Sequence, residues 1–546
     1  MIPLVCGDPK KEPASSTRFV LPFAYQLVPI DGYKGALHYG PAEIVDRIWR
    51  ERYLTEETED VLFRRAGWFT LRSGTEDWHW KGHMLFHDET AIPVYTSSPF
   101  LVLFEHSVHT HQAQWEQAAR DMLQTGFLVI ELFFPERDDG RPTLDDLREL
   151  NELFRYWQQP FEGHEEIKGY RRLLQHWPLS VQDPQQTVGG SSVPAIYFDR
   201  WASFLDLPIR DERGHGWRLF PEAWGKEARD WVAGEAKASK GGNRGWIVYA
   251  DNRTFVWTCA LLEKGGETLR EIFNEGELRA SVFGHWIKLL NVDYWAGSQP
   301  REIHQSTEFE RRWAEERTYK RWEKESTFYG FNYHSGAMLG PGWKKLPLWK
   351  HFGQMYFDQV LLLLYLRVSL FRFSTELNRI SRGARDQPKE VGQEKWQKEF
   401  QNLRWKFALF TNLYQFPLLS NQQQALEMYS LARQAMDVDE LFREIQQEIH
   451  SSHEYLAIQQ QQKQTRIVTR LTVVATIGLV LALATSFLGM NIISEDLTEK
   501  GLLSLLREHG SLLIHTFLSF LVLVGLVVLL SRYLSRIFEQ IMGTES

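Results

Sequence analysis

The stretch IVTRLTVVATIGLVLALATSFLGMN, residues 467–491, decides how this chain is read. From Ile467 to Leu488 it runs for about 22 residues with Arg470 as its only charge, long enough to cross a hydrocarbon core of roughly 30 Å as a helix. A second apolar run, Leu512 to Leu530, is about 19 residues long and has His515, near one end, as its only ionisable group. Lys463, Arg466 and Arg470 precede the first run and Arg532 and Arg536 follow the second. The segment between carries Glu495, Asp496, Glu499 and Glu508 against Lys500 and Arg507. The positive-inside rule therefore predicts a two-span hairpin over 467–530, with a tail at 531–546 and both termini cytoplasmic.

Outward from the hairpin, the chain reads as a soluble body bearing a membrane segment, because mean hydropathy over the 546 residues is −0.36. The run Val360-Leu361-Leu362-Leu363-Leu364-Tyr365-Leu366 is bounded by Asp358, Arg367 and Arg372. That leaves about 8 apolar residues, the length of a core helix segment and too short for a span. No basic segment followed by an apolar one opens the chain, so the head is expected to stay in the cytoplasm. Cys6 and Cys259 are the only two cysteines, which excludes a disulfide framework and suits a reducing compartment. A net charge of −8 without a long basic tract argues against direct nucleic-acid binding.

The stalk, 417–466, leads into the first span. Val438, Leu441, Phe442, Ile445, Ile449 and Leu456 recur at three- and four-residue intervals among Glu and Gln, the pattern of an amphipathic helix. With no Gly or Pro from Asn421 to Ile477, an uninterrupted helix is expected, about 75 Å long from Val438 to Leu488 at about 1.5 Å per residue. The glutamines 459–462 are expected on a solvated helix face.

The first part of the head, 1–300, reads as mixed α/β. Arg18–Phe23, Phe100–Phe104 and Phe127–Phe134 are short, β-branched or aromatic and bounded by Pro or Gly, as buried strands are. A helix over Gln112–Gln124 would make a strand-helix-strand unit. Trp246–Tyr249 and Thr254–Cys259 form a second strand group, joined by a turn at Asp251-Asn252-Arg253. The part 301–416 reads as helical, with a break around Phe328–Pro341. Ser335–Gly342, Gly-rich but lacking the Lys-Ser/Thr ending of a phosphate loop, reads as a turn. Residues 189–192, 241–243 and 382–385 read as exposed loops. The fold class is thus α+β: a large mixed α/β cytoplasmic head, a long stalk helix and a two-helix transmembrane hairpin.

Gly489-Met490-Asn491 ends the first span, with an acidic loop and one further span after it. This placement resembles the CorA family of divalent-cation channels. The resemblance covers roughly Pro417–Ser546. It implies a pentamer in the inner membrane whose tripeptide receives hydrated Mg²⁺ at the pore mouth, with Asn491 facing the ion and Gly489 and Met490 as backbone support. Such an ion gives up water reluctantly and prefers hard oxygen donors, which suits a ring of Asn carbonyls. Val468, Thr472, Ala475, Leu479, Ala482 and Ser486 share one helical face and are the expected pore lining, although the same small residues also suit ordinary helix packing. A ring of Leu479 would gate by dewetting, and Glu495 and Asp496 would concentrate cations at the mouth. Many relatives carry an aromatic residue before the tripeptide where this chain has Leu488. Mg²⁺ bound between heads favours closure in that family, and Asp437, Asp439, Glu440, Glu444 and Glu448 are candidate sensors or a solvated helix face.

The size of the head resembles the enlarged CorA-like proteins associated with type III CRISPR defence, which implies an alternative: a membrane effector opened by a nucleotide messenger. Aromatic planes stack on bases, and the chain has 21 Trp, although core packing uses Trp equally well. His106, His109 and His111 are spaced H-x-x-H-x-H but have no Cys or acid to complete a zinc pattern. No G-x-S-x-G, H-E-x-x-H or kinase signature is present, so an enzyme is not expected. A tail-anchored enzyme with a dispersed site is the third reading.

Overall fold

The computed structural model describes residues 2–30, 36–79, 81–85, 91–104, 125–136, 142–155, 204–205, 207–210, 216–221, 253–263, 273–274, 277–278, 280–292, 307–342, 347–386, 391–414 and 418–492, and single positions between 514 and 532. They fall into two compact units, Met1–Gln447 and Glu448–Ser546.

The first unit is built on one 14-stranded sheet. Its strands, with one small separate hairpin, are β1 (Ser16–Ile30), β2 (Leu37–Pro41), β3 (Gly67–Ser73), β4 (Glu76–Asp77), β5 (Lys81–Leu85), β6 (Ala91–Thr96), β7 (Phe100–Leu103), β8 (Thr125–Phe133), β9 (Ile209–Arg210), β10 (Gly216–Pro221), β11 (Phe255–Leu262), the hairpin β12 (Phe273–Asn274) and β13 (Glu277–Leu278), then β14 (Thr318–Tyr319), β15 (Phe328–Phe331) and β16 (Ser335–Pro341). The helices are α1 (Arg47–Tyr53), α2 (Glu56–Glu59), α3 (Leu144–Phe154), α4 (Ala280–Asn291), α5 (Thr307–Glu316), α6 (Leu348–His351), α7 (Phe357–Asp386), α8 (Val391–Tyr414), α9 (Gln423–Ala435) and α10 (Val438–Ile492), with π-helical turns at Asp60–Arg65 and Phe352–Tyr356.

The long strand β1 organises the sheet. It pairs antiparallel with β8 over Ser16–Ala24, with β11 over Ser16–Val20 and with β10 over Tyr25–Ile30. The pairings run on through β9, β2, β3 and β7 and return to β8, so they close into a circuit. Beyond β11 the sheet extends through β16, which is parallel to it, to β15 and β14. Every residue of β8, β11 and β16 is buried, which is why these strands read as continuous apolar or small-residue runs without alternation.

The sequence reading of β16 as a turn is corrected here. Its glycines serve close packing: a Cβ on Gly336 would lie 2.3 Å from the Trp257 ring, and one on Gly330 of β15 2.7 Å from Trp286. Small residues in a strand signal the approach of a large ring as well as a bend. Strands β14–β16 thus carry the sheet into the segment read as helical. The stretch 382–385, read as a loop, belongs to α7, and Gly383 sits there in open space. The helix expected at 112–124, the strand at 246–249, the turn at 251–253 and the loops at 189–192 and 241–243 fall wholly or mainly outside the described residues.

Helices cover the sheet. α3 starts with a capping box between Thr143 and Asp146 and places Phe154 against Phe19, ring centroids 5.1 Å apart. α7 stacks Tyr365 on Phe104 at 4.3 Å, and Phe352 before it stacks on Trp257 at 3.9 Å. Val360–Leu366 are all buried, as a core segment should be. Asp358, Arg367 and Arg372 of α7 are buried with them. Arg50 Nε donates to Asp358 Oδ2 at 2.7 Å, and a second guanidinium nitrogen contacts the other carboxylate oxygen. Burial raises the Asp358 pKa, opposed by Arg50. On β1, Arg18 Nε meets Glu131 Oε1 at 3.0 Å, and the Glu131 carboxylate also accepts from Ser16 and Ser97. Cys6 and Cys259 are free thiols, and burial pushes the Cys259 pKa up to about 12.

Candidate functional site

The site begins at a corner. Residues 421–477 are not one helix as expected, because α9 stops at Ala435 and α10 starts at Val438. Asp437 between them has φ 55°, in the left-handed region that most L-residues avoid but Asp tolerates. Met436 and Val438 on either side are each 1% exposed, so burial of the flanking side chains holds the break. Arg433 Nε reaches across it to Asp439 Oδ1 at 2.5 Å. The break was not legible because neither Gly nor Pro marks it.

From the corner, α10 runs unbroken for 55 residues to Ile492. Asp439 and Glu440 sit in its first turn, where the helix dipole favours negative charge. Val438, Phe442, Ile445, Ile449 and Leu456 are buried and Leu441 is half-buried, which bears out the amphipathic seam. Phe442 stacks on Phe407 of α8 at 5.6 Å. Asp437, Asp439, Glu440, Glu444 and Glu448 are all exposed, as are Gln460, Gln461 and Gln462.

Past Thr465 the helix turns apolar, and most of its described side chains are exposed. It is the one helix among the described residues long and apolar enough to cross a membrane, by length and composition. Val468, Thr472, Ala475, Leu479, Ala482 and Ser486 are exposed in the single chain, Val468 and Leu479 at 64% each. Val473, Ile477 and Val480 are half-buried and lie on a different face. Ile467, Leu471, Val474 and Leu481 are exposed on a third. Thr465, Thr469, Thr472 and Thr476 each donate the side-chain hydroxyl to the carbonyl four residues earlier, at 2.7–2.9 Å.

Gly489, Met490 and Asn491 form the last turn of α10 before Ile492. Glu495 and Asp496 lie outside the described residues. Of the second expected span, Ile514, His515, Leu518, Leu521, Val522, Gly525 and Leu529 are described. All are helical and exposed. The span as a continuous element falls outside the described residues.

In the head, no three His, Cys, Asp or Glu side chains among the described residues converge on a metal position, and His106, His109 and His111 lie outside them. Trp257 and Trp286 are fully buried in the core, whereas Trp49 is 69% exposed. Burial and the charges of Arg367, Arg253 and Arg155 push the His334 pKa down to about 3. Asp145 is held below the usual carboxylate range by its hydrogen bond with His285. Compared with known proteins, the chain matches no family model, no curated protein and no solved structure. The likeness to the CorA family therefore rests on the tripeptide and its placement.

Proposed function

We propose that this chain is a CorA-like, homo-oligomeric channel, a pentamer, that passes Mg²⁺ or a related divalent cation through the inner membrane and is gated by its cytoplasmic head. The observation that carries this reading is α10: one unbroken helix joins the buried seam at Val438–Ile445 to Gly489-Met490-Asn491 at its far end. A rod of that kind transmits a shift at its base to its tip, since intrahelical hydrogen bonds resist bending and no Pro interrupts it. The face through Leu479 is supported as pore lining by its exposure among the described residues. Both termini are assigned to the cytoplasm, with Glu495 and Asp496 at the outer mouth.

In this reading five copies bring α10 around an axis. Asn491 carbonyls hold the ion through its water shell, and Leu479 closes the path by dewetting. The driving force is the membrane potential, about 2.3 kcal/mol per unit charge per 100 mV. Divalent-cation flux into liposomes containing the purified protein tests it. Asn491→Ala is expected to abolish flux while the oligomer persists on size exclusion, and undiminished flux removes the assignment. Flux that appears only on adding a nucleotide extract from infected cells favours the messenger-gated effector instead. That alternative draws its support from the head, a single unit reaching Gln447. Catalysis by the head alone, with no dependence on Asn491, would favour the tail-anchored enzyme.

A further inference from the structure

Val45, Ile48 and Trp49, at and just before the start of α1, are 54, 66 and 69% exposed. The helix holds them outward. Its Arg50 and Tyr53 are buried on the other side, Arg50 against Asp358, so Trp49 cannot turn inward without drawing a paired charge out of the core. Asp46, at the helix start with φ 54°, accepts from Gln354 Nε2 at 2.9 Å and pairs with Lys350 at 2.7 Å, which ties the segment to the turns before α7. Lone exposed apolar side chains are ordinary. Three within five residues, one of them Trp, form a patch of the kind that marks a contact.

The rim of this patch is acidic. Residues 43–60 hold seven acids against three bases. Of the bases, Arg50 is taken up by Asp358 and Arg47 by Glu51 at 2.5 Å, while Glu43, Glu56 and Glu57 are exposed with no ion pair among the described residues. The outer face of α8 has the converse character. Trp405 is 40% exposed, Lys398 and Ala408 share its side of the helix, and Lys398 and Arg404 are exposed with no ion pair among the described residues. Glu399, the only acid in 396–414, meets Arg379 of α7 at 3.3 Å. Phe407, about 200° around the helix from Trp405, faces inward to its stack on Phe442.

We infer that the α1 patch of one copy docks on the α8 face of the next, Ile48 and Trp49 against Trp405 and Ala408 with Glu56 and Glu57 set toward Lys398 and Arg404, an inference that rests on the oligomeric part of the reading above. Charge selects this occupant. Two α1 patches brought together would oppose acid to acid, and an anionic membrane surface repels the same rim. A contact between two different patches is heterologous and closes into a ring when the rotation fits. It also reaches the stalk from both sides. Thr55, just past α1, donates its backbone N–H to Leu419 O at 3.0 Å, and Tyr53 O accepts from Ser420, shortly before α9, while α8 carries the stack on α10. Docking therefore links the start of α9 in one copy to the buried seam of α10 in the next.

The test uses the full-length protein in detergent and in liposomes. Trp49→Cys and Trp405→Cys in one chain, treated with a short bis-maleimide, are expected to give a ladder of covalent multimers above the background of Cys6 and Cys259. Either substitution alone should give only that background, and co-expressed chains carrying one substitution each should stop at the dimer. Glu56→Lys with Glu57→Lys should lower the cross-link yield about tenfold, because like charges then face one another, and adding Lys398→Glu with Arg404→Glu should restore it. A yield unmoved by these changes overturns the docking. Cross-linking by Trp49→Cys alone replaces it with a two-fold contact, and quenching of a dye on Trp49→Cys by brominated lipid assigns the patch to the membrane; each overturns it. No ladder from the double variant, with the wild-type oligomer retained by native mass measurement and flux still dependent on Asn491, overturns the docking and leaves the channel reading standing. A monomer in both detergent and liposomes removes both.

Discussion

Helices α7 and α10 are both long and both carry an apolar run, yet they occupy opposite environments. In α7, Val360–Leu366 are at most 4% exposed, while in α10 the large apolar residues Ile467, Val468, Leu471, Val474 and Leu479 are 60–69% exposed. The difference lies in what interrupts the run. α7 has Asp358, Arg367 and Arg372 within two turns of its leucines, and the fold buries these charges beside aromatic rings and partner groups. α10 has no charge between Arg470 and the tripeptide, so its side chains make no demand that a polar fold must meet. An apolar run with charges close on both sides has the length of a core segment, and one without them is long and apolar enough to cross a membrane.

The comparison breaks most readily at the buried charge. Asp358→Ala leaves Arg50 buried without its carboxylate and is expected to destabilise the head by about 3–5 kcal/mol. Denaturant unfolding followed by Trp fluorescence checks this. A loss under about 1 kcal/mol would mean that the pair does not hold α7 in the core. Acid should follow. The folded pKa of His334 is depressed to about 3, so its contribution is complete above the unfolded value near 6.5 and is lost as pH falls from there toward 3. Unfolding midpoints at pH 7.5, 5.5 and 4.5 should fall in wild type and fall less in His334→Asn.

Glycine sharpens the contrast. Gly336→Ala drives a Cβ to 2.3 Å from Trp257 and is expected to cost about 1–3 kcal/mol, whereas Gly478 in α10 has open space around it. Gly478→Ala should leave the head's unfolding midpoint unchanged and stabilise the helix by at most about 1 kcal/mol. A pair of variants tests the corner. Asp437→Gly relieves a left-handed residue and should alter stability by no more than about 1 kcal/mol. Asp437→Val, which forces a β-branched residue into the same conformation, should cost about 1–2 kcal/mol. Equal midpoints for Gly and Val would show that the left-handed corner is not kept in solution.

Much of the fold was legible wherever side chains followed one period or one long run. The strands at Arg18–Phe23, Phe100–Phe104 and Phe127–Phe134 and the core segment at Val360–Leu366 stood where their residues placed them. The buried seam of α10 did as well, apart from half-buried Leu441. β16 was not legible, because Ser335-Gly336-Ala337 resembles a turn until Trp257 is known to lie across it. The corner at Asp437 was hidden for the opposite reason: its sequence is helical throughout, and the break comes from burial of Met436 and Val438. In the candidate site the tripeptide was readable as a word.

The sequence by itself determined which segments are apolar enough to leave water and where charge forbids it, because the transfer cost of a side chain belongs to the residue and its near neighbours. It also set the continuity of α10 through Gly489-Met490-Asn491 to Ile492, since nothing in that stretch competes with helical hydrogen bonding. Only the tertiary structure decided which glycines lie under rings, that β14–β16 join the sheet of β1, and that α9 and α10 part at Asp437. Those outcomes depend on atoms brought together from distant parts of the chain, where close packing rather than local preference sets the lowest free energy.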